Sequence, residues 1–485
     1  MKNSKRNLLS KTLQLIFTFL IVFQLCATSQ ISYTHVSNKN LSLGSYGRVG
    51  ADWSFVNGGS IGRRLNLNNM GSIGGRLEEQ DYLELAPALH FKPFNADDKT
   101  EIDVQLRFAV YNRSLSLFGN STTTSLGGLT LALPEIFAEA RNINGTGINV
   151  WVGSRLYRGP DIHIADHFYF NDHSGQGFGI EFENTRFSTI FVASTDTAST
   201  LPPYFYLNIA TGTPSIALRQ KLVVNLEHDI KITTDNLLTF LGEFHRMAGN
   251  ELENQAVPYA NDSLILNYPT DYGLVIGARL STDFGPESTG QYNRFAVRYG
   301  ARLANGGDGG ISKTFYTFGA PNLEELNFKG AYSLSVVDEI FLKLSEKNSL
   351  NGYLIFTKSK GAADSDNKAL TYLGQEVYNR KRDITIGFRN TQIVNPKFQF
   401  LSELHYSNRK EGTEEPYAMT KLSLSPVLVP TGELSSWARP QLRFVFSLAH
   451  YNAAAKNNLY SPYLNYTGAK DWGYYFGVKA EWWIW

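Results

Sequence analysis

Cysteine is almost missing from this chain: 485 residues hold one, Cys26. A secreted scaffold stapled by disulfides is thereby excluded. A surplus of charge is missing too. With 45 Lys and Arg against 44 Asp and Glu, the formal charge is +1, which argues against a nucleic-acid partner and against a strongly anion-selective pore. Beyond one apolar stretch near the start, no run approaches the roughly 20 residues that a membrane-crossing helix needs. Amphipathic helices of globular length are lacking, so a helix-covered α/β enzyme is not expected. No His-Glu-x-x-His pair and no phosphate-binding loop occurs. What the chain has instead is 13% aromatic residues, with 26 Tyr and 31 Phe, and 42 glycines. That composition points to a β-rich, extracytoplasmic protein.

Residues 1–29 read as a secretory signal. Lys2, Lys5, Arg6 and Lys11 precede the apolar run Leu13 to Leu25, and Ala27-Thr28-Ser29 supplies small residues for cleavage. Lipid attachment at Cys26 fits less well, because Phe23-Gln24-Leu25 is a poor lipidation box. Cleavage after Ser29 removes four basic residues and no acidic one, taking the charge from +1 to −3. It also removes the cysteine, leaving residues 30–485 as one domain without thiol chemistry.

Alternation with period two runs through that domain. Ile102, Val104, Leu106, Phe108 and Val110 alternate with Asp103, Gln105, Arg107, Ala109 and Tyr111. The segments 82–92, 295–303 and 441–448 repeat the pattern. One row suits lipid and the other suits water, as in a membrane barrel wall. Between such runs lie short turns, as at Asn395-Pro396-Lys397, and long Gly/Ser/Asn-rich loops, as at 119–128, 304–312 and 361–367. Short turns at one end and long loops at the other belong to outer-membrane barrels. Near the C-terminus Phe476, Val478, Ala480, Trp482 and Ile484 oppose Lys479, Glu481 and Trp483 before the chain closes on Trp485. In a soluble sandwich that ending is an aggregation hazard; in a barrel it is a last strand with interfacial aromatics.

One stretch departs from the strand pattern. Residues 151–180 begin as a strand, then crowd Asp161, His163, Asp166, Asn171, Asp172 and His173 around Phe168, Tyr169 and Phe170. Aromatic rings beside hydrogen-bonding groups suit a sugar, whose C–H faces stack while its rim is bonded. A surface loop with anchor aromatics has the same composition. Asp161 and Asp166, or Asp166 and Asp172, could pose as an acid/base pair, but paired loop carboxylates are common without catalysis. His163 and His167 are four apart in a non-helical context, which is weak as a metal motif. No enzyme, cofactor or metal is expected.

Leu43 to Gly50, Arg76-Leu77 with Tyr82 to Leu85, Trp151 to Arg155, the segment 161–179, Ser436 to Pro440 and the Trp-rich end, taken in that order, resemble the maltoporin-type (LamB) family of sugar-specific porins. Leu43-Gly44-Ser45-Tyr46-Gly47-Arg48-Val49-Gly50 is similar to the family's first strand, and Arg76-Leu77 with Tyr82-Leu83-Glu84-Leu85 to its second. Trp151-Val152-Gly153-Ser154-Arg155 and the segment 161–179 match the strand and loop at the constriction. Ser436-Trp437-Ala438-Arg439-Pro440 and the Trp-rich end match the last two strands. The resemblance implies an all-β, transmembrane antiparallel β-barrel of eighteen strands in a Gram-negative outer membrane. It also implies a homotrimer, and a third loop folded inward as a constriction. It places Tyr46, Tyr82, Tyr292 and Trp483 on an aromatic slide for oligosaccharides. Parity agrees, since each shares a strand face with charged residues: Tyr46 with Arg48, Tyr82 with Glu84, Tyr292 with Arg298 and Trp483 with Glu481. The matching polar track is Arg48, Arg76, Glu84, Asp161, His163, Asp166, Phe168, Asn171 and Asp172.

Some positions depart from the family. Phe168 replaces the constriction tyrosine and loses its hydroxyl, and Gly159 stands for the loop arginine, with Arg158 adjacent. Ala138 stands for another arginine. The acidic residue after the loop aromatics is Asn171 or Asp172, and a slide position near Asp383-Ile384 has no aromatic. Maltodextrin is therefore an open choice of sugar, and a general diffusion porin, with the aromatics as wall filler, is the competing reading.

Overall fold

The computed structural model describes residues 40–53, 64–93, 95, 97–112, 129–170, 172–194, 206–208, 213–215, 219–249, 269–284, 290–306, 314–371 and 376–484. The signal segment, Asn171, residues 119–128 and Trp485, all singled out above, lie outside them.

Eighteen antiparallel strands form one sheet that closes on itself. In chain order they are β1 (Leu41–Trp53), β2 (Tyr82–Phe91), β3 (Glu101–Asn112), β4 (Leu129–Arg141), β5 (Ile148–Arg155) and β6 (Gly175–Phe182). Next come β7 (Thr185–Ser194), β8 (Arg219–Lys231), β9 (Asn236–Met247), β10 (Asp271–Phe284), β11 (Gln291–Arg302) and β12 (Tyr332–Ser345). The last are β13 (Asn348–Lys360), β14 (Arg380–Asn395), β15 (Phe398–Glu411), β16 (Tyr417–Leu428), β17 (Gln441–Tyr451) and β18 (Trp472–Ile484). Each pairs with its neighbours in sequence, and β18 returns to β1 with Trp483 opposite Tyr46. Closure leaves no strand edge to aggregate.

Alternation sets the two faces. On β14 every second residue from Lys381 to Ile393 is buried, while Ile386, Phe388 and Val394 project outward and are exposed. The outward rows elsewhere carry Phe108, Phe240, Ile276, Phe295 and Phe446, the surface a bilayer covers. The inward rows carry the buried charges, among them Arg298, Arg389, Glu403 and Lys421.

Water alone does not cover those charges, as the alternation had implied. Long connections fold into the barrel and meet them; that between β11 and β12 brings the Phe315 carbonyl to Lys221 and the Thr314 hydroxyl to Glu243. The β5–β6 connection, 156–174, does so as the resemblance implied, burying Ile162, Ile164, Tyr169 and Phe170. The β1–β2 connection does so too. Its segment 64–81 buries Leu65, Leu67, Met70, Ile73 and Leu77 against Leu401, Met419 and Tyr451 of the wall. Two short helices, α1 (Ala453–Asn457) and α2 (Pro462–Thr467), lie in the β17–β18 connection, and Ala455 and Leu464 join the same cluster. One turn at the short-loop end is long: residues 429–440 join β16 to β17 and tuck Ala438 inward.

Candidate functional site: an aromatic track between two inward loops

The wall positions three of the four aromatics expected on a slide near one another. Tyr46 lies in mid-strand on β1, with Glu84 of β2 on one side and Trp483 of β18 on the other. The Tyr82 ring is 5.7 Å from that of Tyr46, and the Tyr111 ring is 6.2 Å beyond it, stacked. Tyr111 belongs to the track although the sequence reading assigned it only to the wet row of β3. On the other side of Tyr46, Trp483 meets the His163 ring edge-on at 5.5 Å. His163 in turn meets Trp437 at 5.6 Å, Trp437 meets Phe341 of β12 at 5.7 Å, and Phe341 stacks on Tyr292 of β11 at 5.8 Å.

The rings therefore descend from Tyr82 and Tyr111, at the long-loop ends of their strands, to Tyr292 at the short-turn end of β11. Trp437 comes from the 429–440 turn, not from a strand as the resemblance had it. With Phe341 it joins Trp483 to Tyr292. Both positions were missed as track members; the signal for Phe341 was its parity with Glu339 on the inward row of β12.

Hydroxyls and guanidinium groups hold the rings. The Tyr46 hydroxyl donates to Glu481 at 3.2 Å and accepts from Arg48 and Arg76, each at 3.0 Å. Tyr82 donates to Glu84, and Tyr292 donates to Glu339 at 3.2 Å. Over the indole face of Trp483 sits the Arg439 guanidinium, 4.0 Å from the ring centroid, itself bonded to Glu481 at 2.8 Å. A cation on an indole face orients the ring at little entropic cost.

The charged residues fall into two sets. Arg48 and Arg76 share Glu79 at 2.8 and 3.2 Å, and Glu84 takes Arg107 at 2.8 Å. Arg76 does not precede β2 as part of the strand; it lies in the inward segment 64–81 and donates to the His163 carbonyl at 3.1 Å. The two inward loops thus touch beside Tyr46. Burial, then Arg76, holds the His163 pKa well below its ordinary value, which favours the neutral ring.

Asp161 is pushed up by burial and by Asp166, a residue with left-handed backbone at φ 48. Phe168 pairs with Asp161 in a short bridge and is buried, with the Arg158 guanidinium 5.1 Å from its ring centroid. Asp172 caps the Ser174 amide at 2.9 Å and accepts from Thr314 through its carbonyl at 2.8 Å. Phe168 and Asp172 thus brace the loop, whereas Asp161, His163 and Asp166 adjoin the Arg76 cluster. Among the described residues no group of His, Cys, Asp and Glu is placed to hold a metal.

A closed barrel with a lipid-compatible outer band, and loops folded into its lumen, defines an outer-membrane β-barrel protein. Residues 41–483 match the family described as LamB porin, and the chain belongs to that family. Its place is therefore the outer membrane, and the family is one of channels. Among solved structures the chain is similar to Wzi of Escherichia coli, an outer-membrane protein described as a carbohydrate-binding β-barrel involved in group 1 capsule assembly. There the identity is 10%, the TM-score 0.41, and coverage 90% of this chain and 83% of that one. It is also similar to the DcaP channel of Acinetobacter baumannii, at 10% identity and TM-score 0.37, covering 92% and 99%. OmpT of Vibrio cholerae follows at 9% and 0.36, covering 93% and 100%.

Proposed function

We propose that this porin is carbohydrate-selective and passes oligosaccharides by facilitated diffusion along the aromatic track. The supporting observation is continuity: ring-to-ring steps of 5.5 to 5.8 Å lead from Trp483 through His163, Trp437 and Phe341 to Tyr292. Tyr46, Tyr82, Tyr292 and Trp483 offer faces on which pyranose C–H surfaces slide. Arg48, Arg76, Glu84, Asp161, His163 and Asp166 exchange hydrogen bonds with the hydroxyl rim, so no step needs all contacts to break together. Such a site holds each sugar weakly at several places, which conduction requires. No bond is made or broken.

The working unit we propose is a homotrimer. Strands β5 and β6 have eight residues each, short of the 9–11 that span a bilayer core. Val152, Phe178 and Ile180 project from that low wall, which suits the flank of another copy better than lipid. Liposome swelling tests the selectivity. Oligosaccharides should enter faster than polyols of equal size; uptake ordered by size alone contradicts it and favours a general porin.

A further inference from the structure

On the outward face of β13, β14 and β15 the register places like charges side by side. Lys358 is opposite Arg382, and Arg382 is opposite Lys410; one step higher, Lys360 is opposite Arg380. Cations directly opposite on adjacent strands repel each other. Inward-facing charges of the same strands are handled differently: Arg389 meets Glu403 at 2.5 Å, and Arg409 meets Asp383 at 2.6 Å. In the outward group Arg380 has a carboxylate, that of Asp366, and Lys358 leans toward the Tyr332 ring at 5.9 Å.

The height of the patch is set by its neighbours. Across the ladder from Lys358 and Lys360 are Leu334 and Tyr332, and Tyr332 stacks on Tyr299 at 6.4 Å. Outward tyrosines at strand ends mark the headgroup level. Immediately below the cations come Phe356 and Ile384, then Leu354 and Ile386, the apolar band. The strand ends here lead into the long loops, so this rim faces the outer leaflet. A row of cations at headgroup height, directly above an acyl-chain surface, is complementary to an anionic lipid head on apolar tails.

We propose that Lys358, Arg382 and Lys410, with Lys360 and Arg380 above them, form a docking patch for the phosphate-bearing headgroup of an outer-leaflet glycolipid of the lipopolysaccharide kind. The phosphates relieve the cross-strand repulsion while the acyl chains lie on Phe356, Ile384 and Ile386. The patch is separate from the pore and from sugar transport.

The test uses the whole barrel refolded in detergent and native mass spectrometry with bisphosphorylated lipid A. The triple variant Lys358→Gln, Arg382→Gln, Lys410→Gln should lose at least about tenfold in affinity, since each such cation contributes about fivefold. Lipid A stripped of phosphate should bind the unaltered protein as weakly. Equal retention by the variant, or equal binding of stripped lipid, overturns the proposal. So does full displacement by millimolar inorganic phosphate, which would make the patch a free-anion site. Heat-modifiable gel migration checks folding; should the triple variant fail to fold, Arg382→Gln alone is read in the same assay.

Discussion

At the scale of single residues, three wall tyrosines give their hydroxyl protons to glutamates: Tyr46 to Glu481, Tyr82 to Glu84 and Tyr292 to Glu339. Each bond helps to fix a ring that also packs on a neighbour, Tyr82 on Tyr111 and Tyr292 on Phe341. Tyr46 is tied most, since two arginines also donate to its oxygen. Tyr46→Phe should therefore cost about 1–3 kcal/mol in unfolding by urea, as buried charged groups lose a partner; a loss below about 0.5 kcal/mol contradicts this. His163 provides a pH signature. Its folded pKa is lowered, so the unfolded chain takes up that proton first, near about pH 6.5. Stability from this group is complete above that pH and declines as the pH falls below it. His163→Gln should flatten the decline in thermal midpoint between about pH 7 and pH 5; an unchanged slope counts against it. The inward parity of Tyr46, Tyr82, Tyr292 and Trp483 was legible because a strand alternates strictly. The placement of Trp437 was not, because a turn of twelve residues has no period to read.

At the scale of elements, the segment 64–81 is tied to the wall through side chains. Its Asn66 and Glu78 side chains both take the Lys421 ammonium, and Arg409 reaches the Asn68 carbonyl at 3.3 Å. Gly75 closes the fit. Its φ is +100, and a Cβ there would lie 2.7 Å from His405 and 3.2 Å from Glu403, both buried. Gly75→Val should unseat the segment, widen the pore and raise single-channel conductance severalfold, while heat-modifiable migration stays that of a folded barrel. Unaltered conductance places the constriction elsewhere. The inward fold of the third loop was expected from resemblance, yet that of the first was not. Leu65, Leu67, Met70, Ile73 and Leu77 are too apolar for a solvated loop, but their irregular spacing specifies neither helix nor strand. Their burial depends on wall residues more than 300 positions away, such as Lys421, a pairing that no local pattern encodes.

At the scale of the whole molecule, alternation and loop lengths made the barrel class legible, because lipid outside imposes one rule on every strand. The strand count came from resemblance alone. What alternation could not reveal is that the lumen wall is largely covered by the chain's own loops, since a polar inward row satisfies water and buried partners equally well. Assembly has its own test. Val152→Trp keeps the β5 wall acceptable to lipid but too bulky for a close neighbour, so sedimentation in detergent should change from trimer to monomer. A trimer that persists moves the interface to another wall. The proposed transport role is tested most directly by single-channel current in a planar bilayer titrated with maltotriose, sucrose and longer oligosaccharides. A selective slide gives saturable block by at least one sugar, weakened about tenfold or more by Trp483→Ala, the loss of one stacking platform. A current that no sugar blocks, from a folded and conducting barrel, contradicts it.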